Sequence, residues 1–198
     1  MQFTFSYCPG PITNTVMQVH QGTLTEVAEF IKKNAGRIPY TFEELKKIAN
    51  EEPDKFANIK AGLPYIIGGE CTARNKGSLK SISLLPFDLD FLPFYITEEE
   101  ISSRLEGQTH IIYKTISCNL FKVVDEYVWH PLPRFRVFIP MAIPVLPESF
   151  ATLKKAHRHL GESIFPKEWI DASSYVLGQA MFLPVSFHLG GSCVVSVR

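Results

Sequence analysis

This sequence has no net charge, no paired cysteines and no long apolar run, and each absence removes a class of function. Its 20 Lys and Arg are balanced by 20 Asp and Glu. That argues against a protein that coats nucleic acid through bulk charge, though not against an enzyme with a local basic groove. Cys8, Cys71, Cys118 and Cys193 are scattered and form no C-x-x-C pair. Neither a zinc knuckle nor a disulfide framework is expected, and a reducing cytoplasm fits this usage. No apolar stretch reaches the length of a bilayer span, so no membrane partner is expected. The opening Met-Gln-Phe-Thr-Phe-Ser-Tyr has no basic n-region of a signal peptide. No G-x-x-x-x-G-K-[ST] loop is present, which excludes a P-loop helicase module within these residues. What remains is 198 residues, 45% hydrophobic and 20% charged, enough for one core with at most a small appendage.

The most informative positive feature is Asp88-Leu89-Asp90, at the end of the apolar run Ser81–Phe91. On a strand, alternate residues share a face. Asp88 and Asp90 then point one way, and Phe87, Leu89 and Phe91 point the other way, toward a core. Two like charges at the end of a hydrophobic strand repel and resist burial. A hard divalent cation, Mg²⁺ or Mn²⁺, resolves the conflict through carboxylate oxygens; the simpler reading is a strand end whose acids face water. If repulsion between the two acids outweighs their other interactions, removing Asp88 or Asp90 leaves stability near or above that of the parent chain.

Periodicity and caps organise the rest. Residues 1–60 read as a helical region that flanks the sheet formed by the rest, in one compact domain: Thr23-x-x-Glu26 and Thr41-x-x-Glu44 open two helices, and Pro53-Asp54 starts a third that Gly62 ends. Residues 61–198 read as the second part, a β-α-β-β-α-β core. Its pieces are a strand near 81–91, a helix from the capping box Thr97–Glu100 to Gly107, and a β-rich run His110–Ser117. A loop of about fifteen residues, the strand Arg134–Ile139 ended by Pro140, a helix from Pro147 to about Leu160, and the strand Ala180–Leu183 complete it. The fold class is therefore α+β, with the ferredoxin-like or RRM-like order. In that order the acid strand neighbours Arg134-Phe135-Arg136, whose two arginines share a face. The sheet's open face is then the working surface, and the helices cover the other. Asp171, ahead of the last strand, is either a third metal carboxylate or the N-cap of a turn, with Ser173 and Ser174 beside it. Arg74, Lys76 and Lys80 precede the acid strand as a candidate nucleic-acid contact. Lys154, Lys155 and Arg158 form a further basic group.

Taken in order, four segments resemble the archaeo-eukaryotic primase superfamily, the primase-polymerases, and above all the catalytic domains in replication proteins of phages, prophages and plasmids. They are Lys60–Gly69, Leu84–Asp90, Pro133–Pro140, and Asp171 followed by Met181-Phe182-Leu183-Pro184, spanning about residues 55–186. The resemblance implies a DNA primase or primase-polymerase that transfers nucleotides from nucleoside triphosphates on a single-stranded DNA template. It implies metal held by Asp88, Asp90 and Asp171 and triphosphate held by Arg134 and Arg136, with Lys114 or Ser117 adding contacts. A replicative helicase would be on another chain or in a longer parent protein. The family's second motif carries Ser/Thr-x-His near the end of the second strand. Here the strand ends Tyr113-Lys114-Thr115-Ile116-Ser117-Cys118, with Lys114, Thr115 or Ser117 as candidates to replace part of the His's function, and His130 is the nearest His before the arginine strand, either a phosphate contact or a plain loop residue. The family's Arg is also replaced at Gly178-Gln179. Both departures favour the alternative of a weak or inactive module that binds single-stranded nucleic acid. A D-x-D glycosyltransferase is disfavoured by the strand order. A rolling-circle nicking enzyme is disfavoured because His157-Arg158-His159 lies on a predicted helix, where positions two apart diverge.

Overall fold

A computed structural model describes residues 1–120, 122–124, 127–129, 132–188 and 195–198, with the side chains of Lys76, 122–124 and 127–129 left out. The chain mixes helix and antiparallel sheet. It opens with strands β1 (Phe3–Cys8) and β2 (Gln18–Gly22), then helix α1 (Leu24–Lys33), strand β3 (Gly36–Arg37) and helices α2 (Phe42–Glu51) and α3 (Pro53–Ala61). Strands β4 (Tyr65–Ile67), β5 (Gly69–Cys71) and β6 (Leu79–Leu89) follow, then helix α4 (Glu98–Arg104) and strand β7 (Ile111–Lys114). After β8 (Lys122–Val124) and β9 (Tyr127–Trp129) come the long strand β10 (Phe135–Val145) and helix α5 (Phe150–Ile164). Short strands β11 (Met181–Phe182), β12 (Val185–Ser186) and β13 (Val195–Val197) close the order.

Local chemistry explains the helices. Thr23 and Thr41 each accept from the backbone N–H three residues on, and Glu26 and Glu44 reach back to close both capping boxes. Thr97 caps α4 in the same way, but Glu100 turns to Arg104 at 3.3 Å. Pro53 occupies the first turn of α3, where its missing N–H costs nothing. On α5 the apolar stripe Leu153, His157 and Gly161 is buried.

Five strands pair in the order β13-β7-β10-β6-β5, and four more in the order β11-β4-β1-β2. In the first sheet β6 and β7, joined through α4, flank the antiparallel β10. The acid strand and the arginine strand are thus neighbours, with Phe135↔Leu89 and Arg136↔Asp88 in register. The expected closing strand goes elsewhere. Met181–Phe182 pairs with β4 in the second sheet, and β5 takes the edge of β6 instead. Pro140 does not end β10; it marks a register break before Val145 pairs with Ile82. The amino-terminal region is not purely helical, because β1 and β2 precede α1. The alternation Phe3-Thr4-Phe5-Ser6 is the sequence signal of β1, with Phe3 and Phe5 buried.

Both faces of the five-stranded sheet are covered. Phe87, Leu89, Phe135, Val137 and Ile139 pack with Ile101, Leu105, Leu153 and Trp169, so helices lie on that face as expected. Phe91 departs from the pattern: it is 40% exposed, at φ +56°. The opposite face, expected to be open, is covered. Leu84, Ile111, Tyr113 and Phe138 pack there against Phe3, Phe5 and Ile66 of the second sheet and Val27 and Ile31 of α1. Two buried serines tie the sheets together. Ser6 Oγ donates to Gly69 O and accepts from Cys71 N–H, each at 2.8 Å. Ser83 Oγ accepts from Thr4 N–H and donates to Thr4 O.

The chain crosses between the sheets at Gly68-Gly69, where the backbones nearly touch. A Cβ at Gly68 would lie 2.2 Å from Leu84 O, and one at Gly69 1.9 Å from Ser81 O. A main-chain carbonyl inside a sheet cannot step aside. Gly69→Ala is therefore expected to cost about 2–3 kcal/mol, measured by urea unfolding; an unchanged midpoint would contradict the packing described.

His157 is fully buried against Phe87 and Tyr175, with Nε2 3.1 Å from Pro86 O. Burial lowers its pKa from 6.5 to about 4, against the opposing pull of the Pro86 carbonyl. The unfolded chain therefore takes up this proton first as pH falls. The contribution is absent above about pH 6.5 and destabilises progressively down to about pH 4, by on the order of 3 kcal/mol. Unfolding titrations at pH 7.5 and 4.5 should show His157→Gln losing less stability on acidification than the parent chain.

Candidate active site

The carboxyl end of β6 opens into a cavity of about 580 Å³. Asp88, Asp90, Asp171, Arg134, Arg136 and Ser117 all line it, so six residues singled out from four separate segments share one space. The strand ladder explains how. Arg136 stands directly across from Asp88, and alternation puts Arg134 and Asp90 on the same face one step along. The segment 169–171 runs antiparallel beside the end of β6, with a bridge between Leu89 and Ile170. Asp90 N–H donates to Trp169 O at 2.8 Å, and Asp171 N–H donates to Asp88 O at 2.9 Å. Asp88 N–H in turn donates to Ser174 Oγ at 2.8 Å.

The carboxylates are not crowded against one another; they are paired with the arginines. Asp88 Oδ2 lies 2.5 Å from Arg136 Nη2, and Asp90 Oδ1 lies 3.8 Å from Arg134 Nε. Arg136 Nη1 also donates to Phe182 O at 2.6 Å. Burial pulls the Arg136 pKa down, but the Asp88 carboxylate and Tyr113 outweigh it, and the guanidinium is held above its ordinary value. Asp171 Oδ1 accepts from Ser173 N–H at 2.7 Å, capping the turn Ala172–Tyr175. Asp171 thus lines the cavity and is a turn cap at once.

Other expected residues lie elsewhere. Lys114 is exposed, and alternation puts it on the face opposite its buried neighbour Tyr113, outside the cavity lining. Lys80 sits at the far end of β6, roughly 26 Å from Asp88 at strand rise, and pairs with Glu70 at 3.2 Å. The Arg74 guanidinium lies over the Tyr65 ring at 5.7 Å. His130 and the Lys76 side chain lie outside the described residues.

The helical region was expected to flank the sheet, but no role was given to the residues with which it roofs the cavity: Ala49 and Asn50 of α2 and Pro53, Phe56 and Lys60 of α3. Thr115, a sequence candidate in place of the missing His, lines the cavity, as does Gln179. The amino-terminal helices therefore help to build the site. Lys60 is the consequential addition. Burial lowers its pKa first, Arg136 and Arg134 lower it further, and Asp88 and Asp90 oppose them. No local pattern marks Lys60, because its place depends on how α3 packs.

The cavity thus holds three cationic side chains, Lys60, Arg134 and Arg136, against three carboxylates, Asp88, Asp90 and Asp171. Among the described residues no group of three or more His, Cys, Asp or Glu is arranged to hold a metal ion. The donor chemistry nonetheless suits a hard cation, and Asp88 Oδ1 is buried without a hydrogen-bond partner. No family profile matches this chain, and no curated protein or solved structure matches it either. Among the described residues no helix is long and apolar enough to cross a membrane.

The ion pair reverses the stability expected from repulsion alone. Asp88→Asn strands a buried guanidinium and should cost about 3 kcal/mol, close to the penalty for breaking a buried pair. Asp90→Asn, at the looser pair, should cost less. A double-mutant cycle of Asp88→Asn with Arg136→Gln by chemical unfolding should return a positive coupling between the two sites; strict additivity would contradict it.

Proposed function

We propose that this chain is a nucleotidyltransferase of the primase-polymerase kind, joining nucleoside triphosphates on a single-stranded DNA template with Mg²⁺ or Mn²⁺. The observation that carries the reading is the convergence of Asp88, Asp90, Asp171, Arg134 and Arg136 on one cavity. Carboxylates for a hard cation and guanidinium forks for phosphate are the two halves of a polyphosphate site. A divalent ion held by Asp88 and Asp90, with Asp171, would lower the pKa of an attacking 3′-hydroxyl and offset charge on the leaving pyrophosphate. Arg134 and Arg136 would grip the phosphates by bidentate hydrogen bonds, and Lys60 would add a compact charge. Ser117 and Thr115 would donate hydroxyls to phosphate oxygens. The ferredoxin-like catalytic order belongs to the same reading. The order β6-α4-β7-β10-α5 supports it, while the pairing of β11 with the second sheet departs from it.

A second reading is a non-catalytic module for single-stranded nucleic acid. The observation in its favour is that Asp88 and Asp90 are already paired with arginines. The two readings part on metal. Under the first, labelled nucleotide is incorporated on a single-stranded template with Mn²⁺ or Mg²⁺ and not with EDTA. Asp90→Asn, at the looser pair, should lower the rate by about a hundredfold or more while the chain stays folded. Template binding that ignores metal, with no incorporation under any condition, would overturn the enzymatic reading.

A further inference from the structure

We infer that the turn directly after the acid strand is a stacking platform, on which Phe94 and Tyr95 hold unpaired bases of a single strand outside the cavity. The inference rests on the functional reading above and adds the residues that grip the strand. Arg74 and Lys80, the basic residues first expected to do so, are engaged by Tyr65 and Glu70. Phe94 is 81% exposed and Tyr95 66%. Large rings this open to water are unfavourable until something covers them. Looseness does not explain them, because Leu92 and Ile96 on either side are buried and Ile96 N–H donates to Pro93 O at 3.0 Å. The two rings stand edge to face, with centroids 5.6 Å apart and planes at 85°. The tip is therefore ordered before contact, and little side-chain freedom is lost when it is covered.

The backbone points the same way. Phe91 swings the chain from the strand into the tip at φ +56°, a left-handed conformation that Gly or Asn adopts more easily than a bulky ring. A phenylalanine kept there marks a position held for function. Place and chemistry select the occupant. Asp90 lines the cavity and Phe91 is the next residue, and the short stretch of chain between them keeps Phe94 within about 14 Å of Asp90. A strand lying on the tip thus has its neighbouring nucleotides at the cavity mouth. Every base offers a π-face, so exposed rings take a strand without regard to its sequence. The phosphates alongside need a cation. Lys167 is exposed two residues before Trp169, whose carbonyl accepts from Asp90 N–H. Of the three acids that open α4 just beyond the tip, Glu98 accepts from Ser196 on β13, and Glu100 pairs with Arg104 at 3.3 Å. Two of those charges are therefore held by partners of their own.

The test uses the full chain and fluorescent oligo-dT, followed by anisotropy with and without Mg²⁺. Phe94→Ala and Tyr95→Ala, both at exposed positions, should keep the unfolding midpoint of the parent chain and each weaken oligo-dT binding about tenfold. Phe94→Trp should restore it. Neither alanine variant should change the binding of an equally long abasic strand, since stacking needs bases, nor that of a nucleoside triphosphate with Mn²⁺. Oligo-dT binding unchanged in both variants, or an equal loss on the abasic strand, would overturn the inference and leave the nucleotidyltransfer reading standing. Attachment to phosphatidylcholine vesicles that depends on Phe94, with oligo-dT binding untouched, would assign the tip to a lipid surface and overturn it as well. A parent chain that binds no single strand with or without Mg²⁺ would overturn both.

Discussion

The pairing of Asp88 with Arg136 is the constraint on which the rest of this structure depends. Two charges have been taken into a sheet where Arg136 has Phe138 and Tyr113 as neighbours on its face, both fully buried. Neither charge is tolerable there alone. Together they fix the register of β6 against β10, since a one-residue slip would place each opposite an apolar residue and turn it toward the helices. The long ladder from Phe135↔Leu89 to Pro140↔Leu84 is therefore specified by charge as well as by hydrophobic pattern.

The second sheet turns this face into a site. An open sheet would leave Asp88 and Arg136 in water, where an ion pair contributes little. Here β1 and β4 cover the apolar part of the face, and α2 and α3 roof its charged end. What remains open is a cavity at the end of β6 and β10, with the acids, the arginines and Lys60 around it. The glycine crossing at Gly68-Gly69 permits the close approach of the two sheets. Fold and candidate site are thus joined through that crossing, far along the chain from the acids it helps to enclose.

Much of the site was legible in the sequence, because strand alternation is a short-range rule. It separates Asp88 and Asp90 from Phe87 and Leu89, and Arg134 and Arg136 from Phe135 and Val137, with no tertiary information. The caps at Thr23, Thr41 and Thr97 are equally local. The failures lie where long-range packing decides. Met181–Phe182 has the pattern of a strand, yet nothing in it says which sheet it joins. Lys60 lies on a helix whose own pattern reveals nothing of a cavity. Repulsion between Asp88 and Asp90 was the natural inference from two acids in a row, and cross-strand arginines reverse it. Strand β1 carries a readable alternation, Phe3-Thr4-Phe5-Ser6, whereas β2, Gln18-Val19-His20-Gln21-Gly22, carries none and pairs only because β1 lies beside it.

The central claim is that the paired acids and arginines can trade partners for a metal-bound triphosphate. A crystal structure with Mn²⁺ and a non-hydrolysable nucleoside triphosphate, read by the anomalous signal of manganese, tests it most directly. The account predicts manganese about 2.0–2.2 Å from oxygens of Asp88 and Asp90, with Arg136 moved onto phosphate. An intact Asp88–Arg136 pair, with neither manganese nor phosphate in the cavity, would contradict it.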